Sequence, residues 1–299
     1  MKTFDGRVIK SISGFYDVEA ADGVYTCKCK GSFRNKGVSP VVGDYVTAQH
    51  DDANVGSILQ IHDRKNILLR PPVANVDKLI IIASADNPKP NLFLIDKMTA
   101  IAVSRNIEPI VVFTKADLAD CTDLVSVYEK AGIRCLCCSA KEGQGLQAVA
   151  ALLTDGFYVL TGNSGVGKSS LLNALAPSLE LETNEISYKL GRGKHTTRCV
   201  TIYHIGQCLI ADTPGFSSVE AGEKYDFIKK ENLEDCFPEF VEHLGNCKFT
   251  GCSHVKDKGC AVLAAVSDGL IPVSRHESYV AMYDEIKDIM DWQLKKDKN

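Results

Sequence analysis

The stretch TGNSGVGKSSLLNAL, residues 161–175, constrains this chain more than any other. It carries the spacing G-x-x-x-x-G-K-S, from Gly162 through Gly167 and Lys168 to Ser169, between an apolar run (FYVL) and an amphipathic one (SLLNAL). Glycines at those positions let backbone N–H groups curl around an anion, and a helix starting at the end of the loop points its N-terminus at it. The stretch therefore reads as a phosphate cradle between a strand and a helix. Such loops ordinarily open a domain, but here more than half of the 299 residues come first. The order of the other motifs then decides the fold.

Downstream, LIADTPG (209–215) ends an apolar strand in Asp212 and places Gly215 three residues on. An acid there suits a water-mediated Mg²⁺ contact, and the Gly215 N–H can reach a terminal phosphate. Within the cradle, residues Gly162, Asn163, Ser164, Gly165, Val166, Gly167, Lys168, Ser169 and Ser170 would hold phosphates, Lys168 would neutralise them, and Ser169 would ligate Mg²⁺ together with Asp212.

Upstream, FTKADL (113–118) supplies base choice. A carboxylate at Asp117 can accept from both the ring N–H and the amino group of guanine, which adenine cannot offer. Lys115 would lay its stem over the base, with Thr114 and Ala116 completing the loop. CSAKEGQG (138–145) follows one strand and helix later, and the N–H groups near Ser139, Ala140 and Lys141 would meet the guanine oxygen. The nucleotide read this way is GTP. Base-reading elements first and phosphate elements second describe a circular permutation of a Ras-like domain, tolerable because the termini of compact domains lie at the surface and often close together. The segment after Gly215 then runs straight into the C-terminal region, so hydrolysis would pull on, or release, whatever lies there.

Patterning places three units along the chain, at residues 1–68, 69–219 and 220–299. In the first, GRVIKSI, GFYDVEA, GVYTCKCKG, GDYVTAQ and GSILQIH are short alternating runs broken by Gly, Asn and Asp, which suits a small closed barrel of the oligonucleotide-binding (OB) or SH3-like kind. The second alternates apolar strands with amphipathic helices, the mark of a mostly parallel sheet covered on both faces. The third lacks strands; FIKKENLEDCFPEFVEH and SRHESYVAMYDEIKDIMDWQLKK read as helices flanking a cysteine-rich loop. The fold class is therefore α/β: a permuted Ras-like P-loop domain, preceded by an all-β barrel and followed by a small helical unit.

That last loop holds CKFTGCSHVKDKGC, in which Cys247, Cys252, His254 and Cys260 are spaced C-x₄-C-x-H-x₅-C. Three thiolates and an imidazole with no vacancy describe one structural, tetrahedral Zn²⁺. The other eight of the twelve cysteines, Cys135, Cys137 and Cys138 among them, read as reduced core residues of a cytoplasmic protein, since no export signal or membrane span is visible. Net charge is −4, so a polyanion would have to meet local basic windows at 26–36, 188–198 or 295–298. Nothing in the sequence demands a dimer, and a monomer is expected.

Where Ras-like enzymes carry a water-orienting glutamine after D-x-x-G, this chain has Phe216, which cannot hydrogen-bond. Slow intrinsic turnover is expected unless a partner completes the site. His195 in GRGKHTTR is the candidate to position water, with Thr196 or Thr197 binding Mg²⁺ and sensing the terminal phosphate. A solvated or RNA-contacting role is the alternative for His195.

Taken together, the motifs resemble the circularly permuted bacterial small ribosomal subunit-dependent GTPase A (RsgA) family over nearly the whole chain: the barrel, guanine motifs ahead of GNSGVGKSS, then GRGKHTT, DTPGF and the zinc pattern. The resemblance implies GTP hydrolysis to GDP stimulated by the small ribosomal subunit, late maturation of that subunit, and contacts with its ribosomal RNA through the barrel and zinc units. One departure is visible: the guanine motif usually begins with Asn, and here it begins with Thr114, which leaves a hydroxyl to tie the loop in place. Two other readings compete, an RNA-binding scaffold gated by GTP and a nucleotide-dependent metal or cofactor chaperone.

Overall fold

The computed structural model describes residues 2–29, 33, 38–51, 54–177, 200–212 and 228–289. Strands β1 (Lys2–Ile12), β2 (Phe15–Ala20), β3 (Gly23–Cys29), β4 (Tyr45–Asp51) and β5 (Asn54–Ile61) close a barrel in the order β1-β2-β3-β5-β4. Alternation turns Val8, Tyr16, Val18, Cys27, Val46, Ala48 and Ile58 inward, and together they fill it. The β3–β5 pair is parallel and its other pairs are antiparallel, the five-stranded OB arrangement. A small hairpin, β6 (Ile67–Leu69) with β7 (Pro72–Ala74), links the barrel to the central sheet.

The central sheet runs β10 (Arg134–Cys137), β9 (Glu108–Thr114), β8 (Lys78–Ser84), β11 (Gly156–Thr161), β13 (Cys208–Asp212), β12 (Thr201–Ile205). Every neighbouring pair is parallel except the β12–β13 hairpin, which turns at Gly206-Gln207. Because side chains alternate along each strand, Leu79, Ile81, Val111, Phe113 and Val159 face helices α1 (Leu92–Ser104) and α2 (Thr122–Lys130). Ile80, Ile82, Ile110, Val112 and Leu160 face helices α3 (Leu146–Ala150) and α4 (Lys168–Leu175) on the other side. Both faces are thus covered, as strands this apolar require.

The C-terminal region packs on the α1 face. Its first part is helical, as expected, but only in short pieces: residues 230–232, 234–236 and 238–243 form three 3₁₀ turns and not one continuous helix. Pro238 is the cause. It lacks an N–H and pushes Phe237 into an extended conformation (φ −114°, ψ 93°), so the i to i+4 ladder cannot run through. Leu233, Phe237 and Phe240 are nonetheless fully buried. Helices α5 (Ala261–Ser267) and α6 (Val273–Ile286) complete the region.

Arg275 on α6 fastens this region to the sheet. Its side chain is fully buried, donates to Asp96 Oδ1 (2.8 Å) and Thr99 Oγ1 (3.0 Å) on α1, and forks onto Glu239 at 2.7 and 3.2 Å. Burial opposes the charge, but the two carboxylates outweigh it and hold the guanidinium protonated.

A correction concerns the thiols. Cys121, at the start of α2, and Cys137, at the end of β10, are bonded to each other. The parallel β9–β10 register (Cys137 opposite Phe113) carries Cys137 back beside the turn after β9, which puts the two Cα atoms 6.4 Å apart. Cys135 and Cys138 are buried as expected.

Candidate functional site

The phosphate loop leaves β11 at Thr161 and enters α4 at Lys168. Gly162 is there of necessity: a Cβ would stand 2.3 Å from the Ile82 carbonyl oxygen, and its φ is +157°. Gly165 and Gly167 take left-handed φ of +78° and +94°, which keeps the loop curled and lets Gly167 cap α4. The curled loop, with glycine required at Gly162 and left-handed φ at Gly165 and Gly167, fits a phosphate chain. Lys168 Nζ reaches into it, donating to Gly162 O (2.6 Å) and Asn163 O (3.0 Å). Burial lowers the Lys168 pKa, and the Asp212 carboxylate partly restores it. Asp212 is opposite Leu160 in the β11–β13 register, one residue short of the end of β11, so it stands beside the lysine and the start of the cradle. Ser169 and Ser170 occupy the first turn of α4.

The base-reading residues converge on the same sheet edge. Thr114 is buried, and its hydroxyl donates to the Val166 carbonyl of the phosphate loop, with Ala83 O 3.1 Å away. A single hydroxyl therefore makes the tie between base loop and phosphate loop. Lys115 adopts a left-handed φ of 57° and its ammonium donates to the Asn87 carbonyl, which also accepts from Ser84 Oγ at 3.0 Å. Asn87 is a participant that no motif in the sequence signalled. Asp117 is exposed; Ser139 Oγ donates to its Oδ1 at 2.6 Å, and this bond above all holds the carboxyl below its ordinary pKa, with Lys141 and Lys115 adding to it. Ala116 N donates to Cys138 O (3.1 Å) and Glu142 N to Ser139 Oγ (3.1 Å), so the two loops are laced together around Ala140 and Lys141. His195, Thr196, Thr197, Gly215 and Phe216 lie outside the described residues, as do the basic windows 188–198 and 295–298.

In the C-terminal region the ligating atoms of Cys247, Cys252, His254 and Cys260 lie within 4.8 Å of one another. His254 Nδ1 faces Cys260 Sγ (3.3 Å) and Cys247 Sγ (3.6 Å). Backbone N–H groups of Ala261 and Leu263 point at the Cys247 and Cys260 sulfurs at 3.3 and 3.4 Å, an arrangement that favours thiolates. Burial first, then the Cys260 and Cys247 sulfurs, push the Cys252 thiol up to about 12. Three sulfurs crowded in this way fit a divalent soft-to-borderline cation, whose charge would reverse that shift. Glu234 Oε2 sits 2.9 Å from His254 Nε2 and so orients the ring with Nδ1 toward the sulfurs. Twenty residues separate Glu234 from His254, and no spacing rule pointed to it.

Known proteins resemble this chain over nearly its whole length. The RsgA GTPase family model matches residues 61–222, and the RsgA N-terminal domain model matches residues 5–58. The chain belongs to the RsgA family. A relative from Oceanobacillus iheyensis named small ribosomal subunit biogenesis GTPase RsgA 2 is 45% identical over 289 residues, covering 95% of this chain and 97% of that protein. One from Halalkalibacterium halodurans, small ribosomal subunit biogenesis GTPase RsgA, is 43% identical over 290 residues, covering 94% and 97%. Among solved structures, that of YloQ, described as a circularly permuted GTPase, superposes with a TM-score of 0.76 at 35% identity over 96% of both chains. YjeQ from Thermotoga maritima gives 0.79 at 33% identity, covering 97% of this chain and all of that one. As an RsgA-family member the chain is a GTP-hydrolysing enzyme, with a permuted nucleotide domain, an OB-type barrel and a Cys₃His cluster compatible with one zinc. Among the described residues no helix is long and apolar enough to cross a membrane.

Proposed function

We propose that this GTPase acts in late maturation of the small ribosomal subunit, that the subunit stimulates its turnover, and that residues 1–68, 69–219 and 220–299 divide the work. The observation that carries the reading is the pair of bonds Thr114–Val166, which ties the base loop to the phosphate loop, and Asp117–Ser139, which joins the two base loops, in a chain so similar to named subunit-biogenesis GTPases. Asp117, ionised at neutral pH, accepts from the two guanine N–H groups, while Ser139, Ala140 and Lys141 flank the guanine oxygen. Gly162 through Ser170 wrap the phosphates, and Lys168 moves from the Gly162 and Asn163 carbonyls onto them. Bound Mg²⁺, held by Ser169 directly and Asp212 through water, would offset phosphate charge. His195 orients the attacking water once the subunit is bound, with Thr196 or Thr197 contacting the metal and Gly215 the terminal phosphate. Phe216 leaves the enzyme slow on its own.

The zinc unit and the barrel supply RNA contacts. Exposed Phe249 with the Lys248 ammonium 5.4 Å from its ring, and Phe15 with Lys28 at 4.5 Å, offer stacking surfaces beside positive charge. The segment after Gly215 carries nucleotide state toward the zinc unit, and the protein works as a cytoplasmic monomer. The test is GTP turnover by the purified protein alone, with small subunits, and with large subunits or ATP as controls. A large rise with small subunits alone is expected. No rise, with GTP-dependent binding to the particle, would leave a nucleotide-gated scaffold.

A further inference from the structure

The bond between Cys121 and Cys137 falls at a place where it can act on nucleotide binding. Cys121 lies four residues after Asp117, and Cys137 precedes Ser139 by two. The covalent link spans a sequence separation of only 16, yet it joins the ends of both base-reading loops. It runs alongside two weaker ties, Ser139 Oγ to Asp117 and Ala116 N to Cys138 O.

The pair is also reachable. Cys121 and Cys137 both line an open cavity of about 390 Å³, walled by Ala116, Asp120, Val125 and Gln144. That volume admits a molecule the size of a tripeptide thiol. Cys137 is half-buried, whereas Cys121 is buried. The neighbouring Cys135 and Cys138 are closed off, and burial pushes their thiols up to about 12 and about 11. Thiol chemistry on this strand is therefore directed to Cys137 and its partner.

We propose that Cys121 and Cys137 are a reversible redox site, oxidised by a low-molecular-weight disulfide, whose closure slows the escape of the guanine nucleotide. The Cys137 thiolate attacks one sulfur of the disulfide, forming a mixed disulfide and expelling one small thiolate. The Cys121 thiolate then attacks the Cys137 sulfur, forming the internal bond and expelling the second. The protein gives up two electrons and two protons, and the small disulfide leaves as two thiols. With the bond closed, the two loops cannot part, so the base must leave without the wider opening that the reduced form permits. Cross-linking removes loose conformations from the open state more than from the closed one.

This inference rests on the reading that residues 114–117 and 139–141 hold guanine. The full-length, zinc-loaded protein is equilibrated in reduced and oxidised glutathione at several ratios, and the Cys121–Cys137 bond is quantified by thiol alkylation and peptide mass spectrometry. Release of a fluorescent GDP analogue is then timed, with an ADP analogue as control. The oxidised form is expected to release GDP about three- to tenfold more slowly than the reduced form. Cys121→Ser and Cys137→Ser should each release at the reduced rate whatever the ratio, which separates this pair from oxidation of the zinc cysteines. Failure of the bond to form in oxidised glutathione, or its formation with no change in release, overturns the proposal while guanine binding stands. Should the reduced protein hold the GDP analogue no better than the ADP one, the base-loop reading falls, and this proposal with it.

Discussion

The phosphate loop and the cysteine loop are both short, glycine-bearing turns, but they are built from opposite parts of the chain. In the phosphate loop the backbone does the binding. Gly162, Gly165 and Gly167 shape it, a Cβ on Gly162 would collide with Ile82 O, and Lys168 reaches in from the first turn of α4. In the cysteine loop the side chains converge within 4.8 Å, and the backbone only aims N–H groups at the sulfurs. A backbone site is preformed and loses function when its geometry or its one charge is altered. A side-chain site holds like groups together at a cost, so there the metal is a part of folding.

The comparison breaks first, and most heavily, at the metal. Cys252→Ser should abolish stoichiometric zinc and remove on the order of 10 kcal/mol of metal-linked folding energy from the C-terminal unit. Metal analysis and thermal unfolding check this. Unchanged melting would mean that the loop folds without metal. Next, Lys168→Ala should cut GTP turnover by about 100-fold or more, about 3 kcal/mol, while leaving the melting temperature nearly unmoved. Wild-type kinetics in that variant would remove the phosphate loop from the mechanism.

A smaller effect belongs to Glu234→Gln, which weakens the orientation of His254 without touching a ligand. Zinc affinity should fall by about 10-fold, measured by competition with a chelator, with GTP turnover unaltered. Least of all is a pH effect on the nucleotide side. Burial holds Lys168 below the ordinary lysine value of 10.5 in the free protein, and phosphates would restore its charge. Between the depressed pKa and the restored one binding takes up a proton, so affinity is full below the depressed pKa and falls as pH climbs through that window toward 10.5. Calorimetry at alkaline pH within that window, in buffers of different ionisation heat, reads that proton; none taken up there would separate the lysine from the phosphates.

Local chemistry made much of this legible. The barrel strands alternate as β-strands must, Val8, Val18 and Val46 marking the inside. The two base motifs and the phosphate loop carry their own spacing, and the four zinc ligands fall within fourteen residues. What escaped was long-range or hidden by a competing local rule. Leu233, Phe237 and Phe240 repeat at helical intervals, but Pro238 overrides them. Cys137 meets Cys121 only because β9 and β10 pair in parallel, and Glu234 meets His254 only because the 3₁₀ turns fold under the zinc loop. Asn87 enters the base site through its carbonyl, which any residue could supply.

The buried guanidinium of Arg275 has a consequence for how the molecule is made. Translation delivers Asp96 179 residues before Arg275, an interval of roughly 10 to 35 s at about 5–20 residues per second. Throughout it, a carboxylate destined for a dry interior has no cation, and helix α1 cannot close its outer face without leaving that charge uncompensated. The permuted order puts the phosphate loop well ahead of Arg275 in the chain, yet the helix layer on the sheet that bears it is completed by α6 (Val273–Ile286). The nucleotide domain is finished only after that helix has emerged.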